Sequence, residues 1–251
     1  MRIIVYSVIL FGCLLSIDKF AFAEVDNVIT LAVGHDHNKM VSANYPIYRA
    51  NWEFITQSLD TMGYKVDAVI VPWARAKQYT QDATADGLFL AANLHGRDNW
   101  AVLSEPLGYG IFGAFYNVSR PDEKAFIASV RIGEHDRVLS LYNPAELFEV
   151  ATAQLGFKLL YHQRVDRFIM SESYGKYLLD TELSAYSDAI GFDESMIEQR
   201  SVHIAFSKNH AESLNALKII NLAIEEGIRK GFYASAMERN QVPNRMRLAS
   251  Y

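Results

Sequence analysis

Between residues 28 and 92, strand-forming runs alternate with helix-forming ones, and that alternation points to a parallel sheet with crossover connections. Residues 28–33 read Val-Ile-Thr-Leu-Ala-Val and stop at Gly34. A polar loop runs to Asn44. After Tyr45-Pro46, the apolar positions Trp52, Ile55, Leu59 and Met62 recur at helical spacing, with Gly63 where a helix ends. Residues 66–71 form a second strand closed by Pro72. Residues 73–82 form a second helix, and Asp86-Gly87 introduces a third strand at 88–92.

The middle of the chain changes character. Residues 109–116 are aromatic, glycine-containing and strand-like, and they run into a polar stretch, 117–124, that carries Pro121 and marks a boundary. Beyond it, 125–132 and 138–141 read as strands. Asn143-Pro144 reads as a helix start, with asparagine as cap and proline in the first turn, for a helix reaching Gly156. Residues 202–206 alternate like a strand. Leu214, Leu217, Ile220, Ile224 and Ile228 form a helical stripe ending near Gly231. There is also an internal echo, because Asp86 before an apolar strand matches Asp166 before another, as two lobes of similar build would produce.

The first residues have a different purpose. Met1-Arg2, an apolar run over 3–17 and Ala21-Phe22-Ala23 read as a secretory leader (1–23) cut before Glu24, with a lipid-anchored Cys13 as the second reading. Cys13 is the only cysteine, so the mature chain has no disulfide and a packed core must hold it together. Of 24 basic and 29 acidic residues, the leader removes two and one, leaving 22 − 28 = −6. A mildly acidic chain with no basic face fits a small-molecule partner and excludes nucleic acid.

Four segments carry a resemblance. They are Val71-Pro72-Trp73-Ala74-Arg75-Ala76; Ala85-Asp86-Gly87; Arg97 followed by Leu103-Ser104-Glu105-Pro106-Leu107; and Arg164-Val165-Asp166 ahead of an apolar strand. In this order they resemble the periplasmic solute-binding proteins of the amino-acid-type family 3. That resemblance implies an α/β, two-lobed periplasmic-binding-protein-like fold with two hinge crossovers. Lobe 1 would hold 24–116 and return through 207–251, and lobe 2 would be 117–206. No cofactor is implied. The chain departs from the family pattern where Gln163 replaces glycine, Leu94 replaces a threonine, and Ser171 stands where the family's amino-binding aspartate falls.

Eight residues are candidates for the ligand site. The resemblance makes Arg97 the carboxylate-binding arginine and places Trp73 against the ligand, where the alternative is a core indole. Arg75 either meets an acidic ligand or solvates its helix. In the loop after the first strand, Asp36 and Tyr45 are hydrogen-bonding candidates. His35 and His37 flank that aspartate, but a spacing of two does not gather a metal site. From lobe 2 come Tyr142 and Asn143 as anion contacts, and Glu172 beside Ser171.

The expected function is a monomeric, periplasmic binding protein that closes on a small polar or anionic solute, amino-acid-like or an organic acid, and presents it to a membrane ABC permease. Two alternatives stand: an input protein for a membrane receptor, and a periplasmic dehydratase that pairs Glu172 with Arg97. The chain lacks the Gly-x-Ser-x-Gly, His-Glu-x-x-His and phosphate-loop motifs of other enzyme classes.

Overall fold

The computed structural model describes residues 27–43, 45–130 and 136–249. The expected leader and Cys13 lie outside the described residues. No helix among the described residues is long and apolar enough to cross a membrane.

The expected opening is present. Strand β1 (Val28–Val33) leads through a short helix, α1 (His37–Ser42), to α2 (Pro46–Asp60), then β2 (Lys65–Ile70), α3 (Trp73–Gln81) and β3 (Gly87–Ala92). Pro46 opens α2, where its missing N–H costs nothing, and Phe54, Ile55 and Leu59 bury the helix against the sheet. A short β4 (Ala101–Leu103) follows, then the long β5 (Gly108–Asn117).

The next stretch differs from expectation. After β6 (Phe126–Ser129), residues 138–141 belong to a helix, α4 (Asp136–Tyr142), and not to a strand. Val138, Leu139 and Tyr142, at positions i, i+1 and i+4, all bury into one cluster, and so short an apolar run does not by itself distinguish the two periods. Asn143 does not start a helix. Its φ of +44° ends α4, a left-handed role that asparagine tolerates. The chain then forms β7 (Glu146–Glu149), and the helix begins later, as α5 (Ala153–Tyr161), capped by the Thr152 hydroxyl on the Leu155 N–H at 3.2 Å. Next come β8 (Arg167–Ser171), α6 (Glu172–Asp180), β9 (Ile190–Phe192), β10 (Glu198–Ser207), α7 (Ala211–Arg229) and α8 (Phe232–Arg239).

The strand order β2-β1-β3-β10-β5-β8-β6-β7 shows two copies of one plan. In each half three strands run parallel and a fourth, β10 or β5, is antiparallel to them; β10 and β5 then pair with each other. From the helix after the second strand onward the two copies keep a constant offset. Nine-residue α3 starts at 73 and nine-residue α5 at 153, so 153 − 73 = 80, and 166 − 86 is also 80. Asp86 and Asp166 do the same work. The Asp86 Oδ2 accepts the Thr30 N–H of β1 at 2.7 Å, and the Asp166 Oδ2 accepts the Phe126 N–H of β6 at 2.9 Å. The echo in the sequence is thus a backbone clamp used once per lobe.

Two strands carry the chain between the lobes. Strand β5 pairs with β10 over 108–112 and with β8 over 112–116, while β10 pairs with β3 from Val202 onward. The expected limits at 117 and 206 sit at the far ends of these strands, whereas the hand-over lies mid-strand near Phe112 and Val202. A crossover inside an unbroken strand leaves no loop signal in the sequence.

The C-terminal segment lies along this hinge. Gly108, at φ +144°, sits so close that a Cβ there would be 2.6 Å from the Met246 carbonyl oxygen. Just before it, Arg245 reaches lobe 2, pairing with Glu172 at 2.7 Å and with Glu194. Gly108→Ala should therefore lift the tail from the hinge, costing about 1–3 kcal/mol, read as a lower Tm and faster amide exchange at 245–247.

Candidate functional site

A cavity of about 420 Å³ lies between the lobes, at the C-terminal ends of their parallel strands. This is where an open parallel sheet presents loop backbone and helix N-termini. Lobe 1 contributes Gly34, His35 and Asp36 after β1, Trp73 at the start of α3, and Leu94 and Arg97 after β3. Lobe 2 answers in the same order, with Val130 after β6, Ala153 at the start of α5, and Ser171, Ser173 and Tyr174 after β8. Gly110, Phe112 and Val202 of the hinge strands form the floor.

Of the eight candidate residues, the structure brings Asp36, Trp73 and Arg97 to the cavity wall. Arg97 is 7% exposed on a 3-10 turn (Arg97–Asn99) that follows Gly96, whose φ of +75° sets the bend. Its guanidinium carbon lies 5.7 Å from the Trp100 ring centre. Asp36 is 4% exposed, and His35 Nε2 lies 3.2 Å from its Oδ1. Tyr174 lines the same cavity from lobe 2; burial first, then the Asp36 and Glu182 charges, pushes its phenol well above its usual range.

Five candidates lie elsewhere. Arg75 is exposed, because two residues beyond Trp73 is about 200° round a helix, which turns it to solvent when the indole faces the cavity. Tyr45 is buried and stacks on Tyr48 and Tyr177 at 5.5 Å each and on Tyr174 at 6.5 Å, so it joins the lobes beside the cavity. Tyr142 is 3% exposed in the lobe 2 core, its hydroxyl donating to Asp193 at 3.2 Å. Asn143 is an exposed turn residue. Glu172 is 2% exposed, and its Oε1 accepts from Lys176 at 2.6 Å and from Arg245 at 2.7 Å. It anchors the C-terminal tail and does not line the cavity, so the Glu172–Arg97 pairing required of a dehydratase is not formed.

The residues overlooked in the sequence are Thr152, Gln154, Ser173 and Tyr174. The 80-residue offset locates the first two, since Trp73 at the head of α3 maps onto Ala153 at the head of α5. His37 and His35 diverge, which removes the metal reading of that loop. His37 is buried, edge-on to Trp52 at 4.4 Å with Nδ1 2.8 Å from the Tyr48 hydroxyl, while His35 is exposed.

The Leu-Ser-Glu-Pro-Leu segment is structural. The Ser104 hydroxyl accepts the Ile204 N–H at 3.0 Å and donates to the Glu105 carbonyl at 2.7 Å. Next to it, His203 Nδ1 lies 2.7 Å from the Ser104 carbonyl, which only accepts, so Nδ1 carries the proton and Nε2 accepts from Ser201, also at 2.7 Å. Burial lowers the pKa of both His203 and His37 below the ordinary 6.5. A group with a depressed folded pKa stabilises the fold above its unfolded value and loses that contribution as pH falls below it. Tm should therefore hold above pH 6.5 and fall between pH 6.5 and 5, with a slope of at most about 1.4 kcal/mol per pH unit per histidine, and His203→Gln should flatten it.

No family model matches the sequence, and no curated protein matches it. Solved structures do. A histidine kinase sensor domain described as similar to periplasmic binding proteins superposes with a TM-score of 0.68 at 15% identity, covering 84% of this chain and 95% of its own. A substrate-binding protein of an ABC uptake transporter from Streptococcus pneumoniae, with bound histidine, gives 0.66 at 13% identity over 88% and 94%. A mutant of the protein ArgBP from T. maritima gives 0.65 at 14% over 86% and 96%. The chain carries the two-lobed, type II periplasmic-binding-protein fold that its motifs resemble.

Proposed function

We propose that the protein is a non-catalytic binding protein that captures a small carboxylate-bearing solute between its lobes and reports the closed form to a membrane partner. The observation that carries this reading is the placement of Arg97 and Asp36, both nearly buried, on the wall of a cavity shared by two lobes that only two strands connect. A guanidinium fork in a water-poor cleft selects a carboxylate by two charge-assisted hydrogen bonds. Closure excludes water and strengthens those bonds. The partner must prefer the closed form, since a ligand shifts an equilibrium only by its differential affinity for the two states.

We take the partner to be an ABC importer and the site of action to be the periplasm, reached by the leader. N-terminal mass analysis of exported protein should begin at Glu24; an uncleaved or Cys13-lipidated chain would contradict that. One observation favours a receptor-input role on the same fold: the lobes are also tied by the protein's own groups, through Tyr45 on Tyr174 and Tyr177 and through Arg245 on Glu172. Co-purification from membranes with a permease or with a sensor kinase distinguishes the two. The binding reading itself is tested by thermal shift of ligand-stripped protein against a broad metabolite panel, where at least one carboxylate should raise Tm.

A further inference from the structure

The cavity wall combines two charged side chains, Arg97 and Asp36, with an extensive apolar surface from Met40, Trp73, Leu90, Phe112, Val130 and Met170. Asp36 lies beside His35, whose Nε2 is 3.2 Å from its Oδ1. Arg97 is the only lysine or arginine among the described residues of the wall. Thr152, Gln154, Ser171 and Ser173 add neutral polar groups on the lobe 2 side, so a ligand's polar groups find partners there, whereas a body polar on every side would lose its water against the larger apolar part of the wall. An apolar body would gain burial.

Leu90 makes this wall more than incidental. Where β3 pairs with β10, Ala91 faces His203 and Leu88 faces Ala205, so Phe89 and Leu90 together oppose Ile204. That is a β-bulge, and Leu90 within it has φ +53°. Leucine is not a residue that favours the left-handed region, and strain of this kind is kept where the surroundings require it. Leu88, Phe89 and Ala91 are buried in the lobe, while the displaced Leu90 lines the cavity. The backbone departs from a regular strand at the position by which β3 adds a branched apolar side chain to the wall.

Resting on the binding reading above, we infer that the solute is an apolar-bodied carboxylate, aromatic or branched, with its acid group on Arg97 and its hydrocarbon against Leu90, Phe112 and Trp73. A volume of about 420 Å³ lies within the range of small-molecule sites.

The test is calorimetric titration of full-length mature protein, stripped by unfolding and refolding, with L-phenylalanine, L-leucine, phenylpyruvate and phenylacetate against L-arginine, L-glutamate and citrate. At least one apolar carboxylate should bind at least 10-fold more tightly than every polar one. Leu90→Gly relieves the positive φ while deleting the side chain, so it should keep or raise Tm yet weaken that ligand about 10-fold; Leu90→Asn, also tolerant of φ > 0, should weaken it at least as much. Tighter binding of arginine, glutamate or citrate would overturn the inference and leave the binding reading standing, as would unchanged affinity in both Leu90 variants. If no carboxylate of either class binds, the binding reading falls and the inference with it.

Discussion

Arg97→Ala abolishes most ligand-dependent stabilisation while leaving the two lobes folded: that is the expected result at the position where the largest functional effect is concentrated. A bidentate guanidinium–carboxylate contact in a closed cleft contributes about 1.5–3 kcal/mol net, or roughly 10- to 150-fold in Kd. Arg97→Lys retains the charge and loses the fork, so it should recover only part of the loss. The variant's far-ultraviolet spectrum should match the parent's, because the Gly96 backbone sets the bend of the 3-10 turn. Wild-type affinity in Arg97→Ala would remove the carboxylate from that position.

A second large effect is expected at Tyr45. Its ring lies in a stack with Tyr48 of its own lobe and with Tyr174 and Tyr177 of α6 in the other lobe. Burial pushes the Tyr45 phenol far above its usual range. The two cross-lobe ring pairs contribute about 0.5–1.5 kcal/mol each beyond their buried area, so Tyr45→Ala should shift the closed-to-open equilibrium by about 1–3 kcal/mol, or 5- to 150-fold. The radius of gyration of the ligand-free variant in solution scattering should rise. Tyr45→Phe keeps the stack and should scatter like the parent. An unchanged profile in Tyr45→Ala would mean that the stack does not restrain the lobes, and that other ties hold them, such as the Arg245 bridge to Glu172 and Glu194 and the Lys39–Glu182 pair.

The parts of the fold that are legible in the sequence are those with long, regular periods. The helix over Pro46–Asp60 shows Trp52, Ile55 and Leu59 at helical spacing and a glycine beyond its end, and the strands around it are bounded by Gly34, Pro72 and Gly87. Residues 138–156 are not legible, for two physical reasons. A four-residue apolar run fits either period. Asn-Pro serves equally as a helix cap and as a left-handed helix stop, and the choice lies in packing that a local reading does not contain.

The site divides along a similar line. Trp73 and Arg97 are visible because they stand in the segments that carry the family resemblance, and Asp36 because it lies in the polar loop after β1. Glu172 and Tyr45 are residue types suited to a ligand, but each is taken up by a partner distant in sequence: Arg245 lies 73 positions from Glu172, and Tyr177 stacks on Tyr45 from the other lobe. Leu90 carries no signal at all. Its part in the wall arises from a bulge, and a bulge is a property of two strands together.

The most direct measurement of lobe closure is the distance between the lobes with and without solute. The chain has no cysteine after Cys13, so Asp60→Cys and Lys158→Cys, exposed on α2 of lobe 1 and α5 of lobe 2, give a uniquely labelled pair for energy transfer in the mature protein. Titration of stripped protein with the carboxylate panel should bring the labels closer for at least one compound, and the change should vanish in Arg97→Ala. Transfer efficiency that stays constant across the whole panel would contradict a cleft that shuts on its cargo.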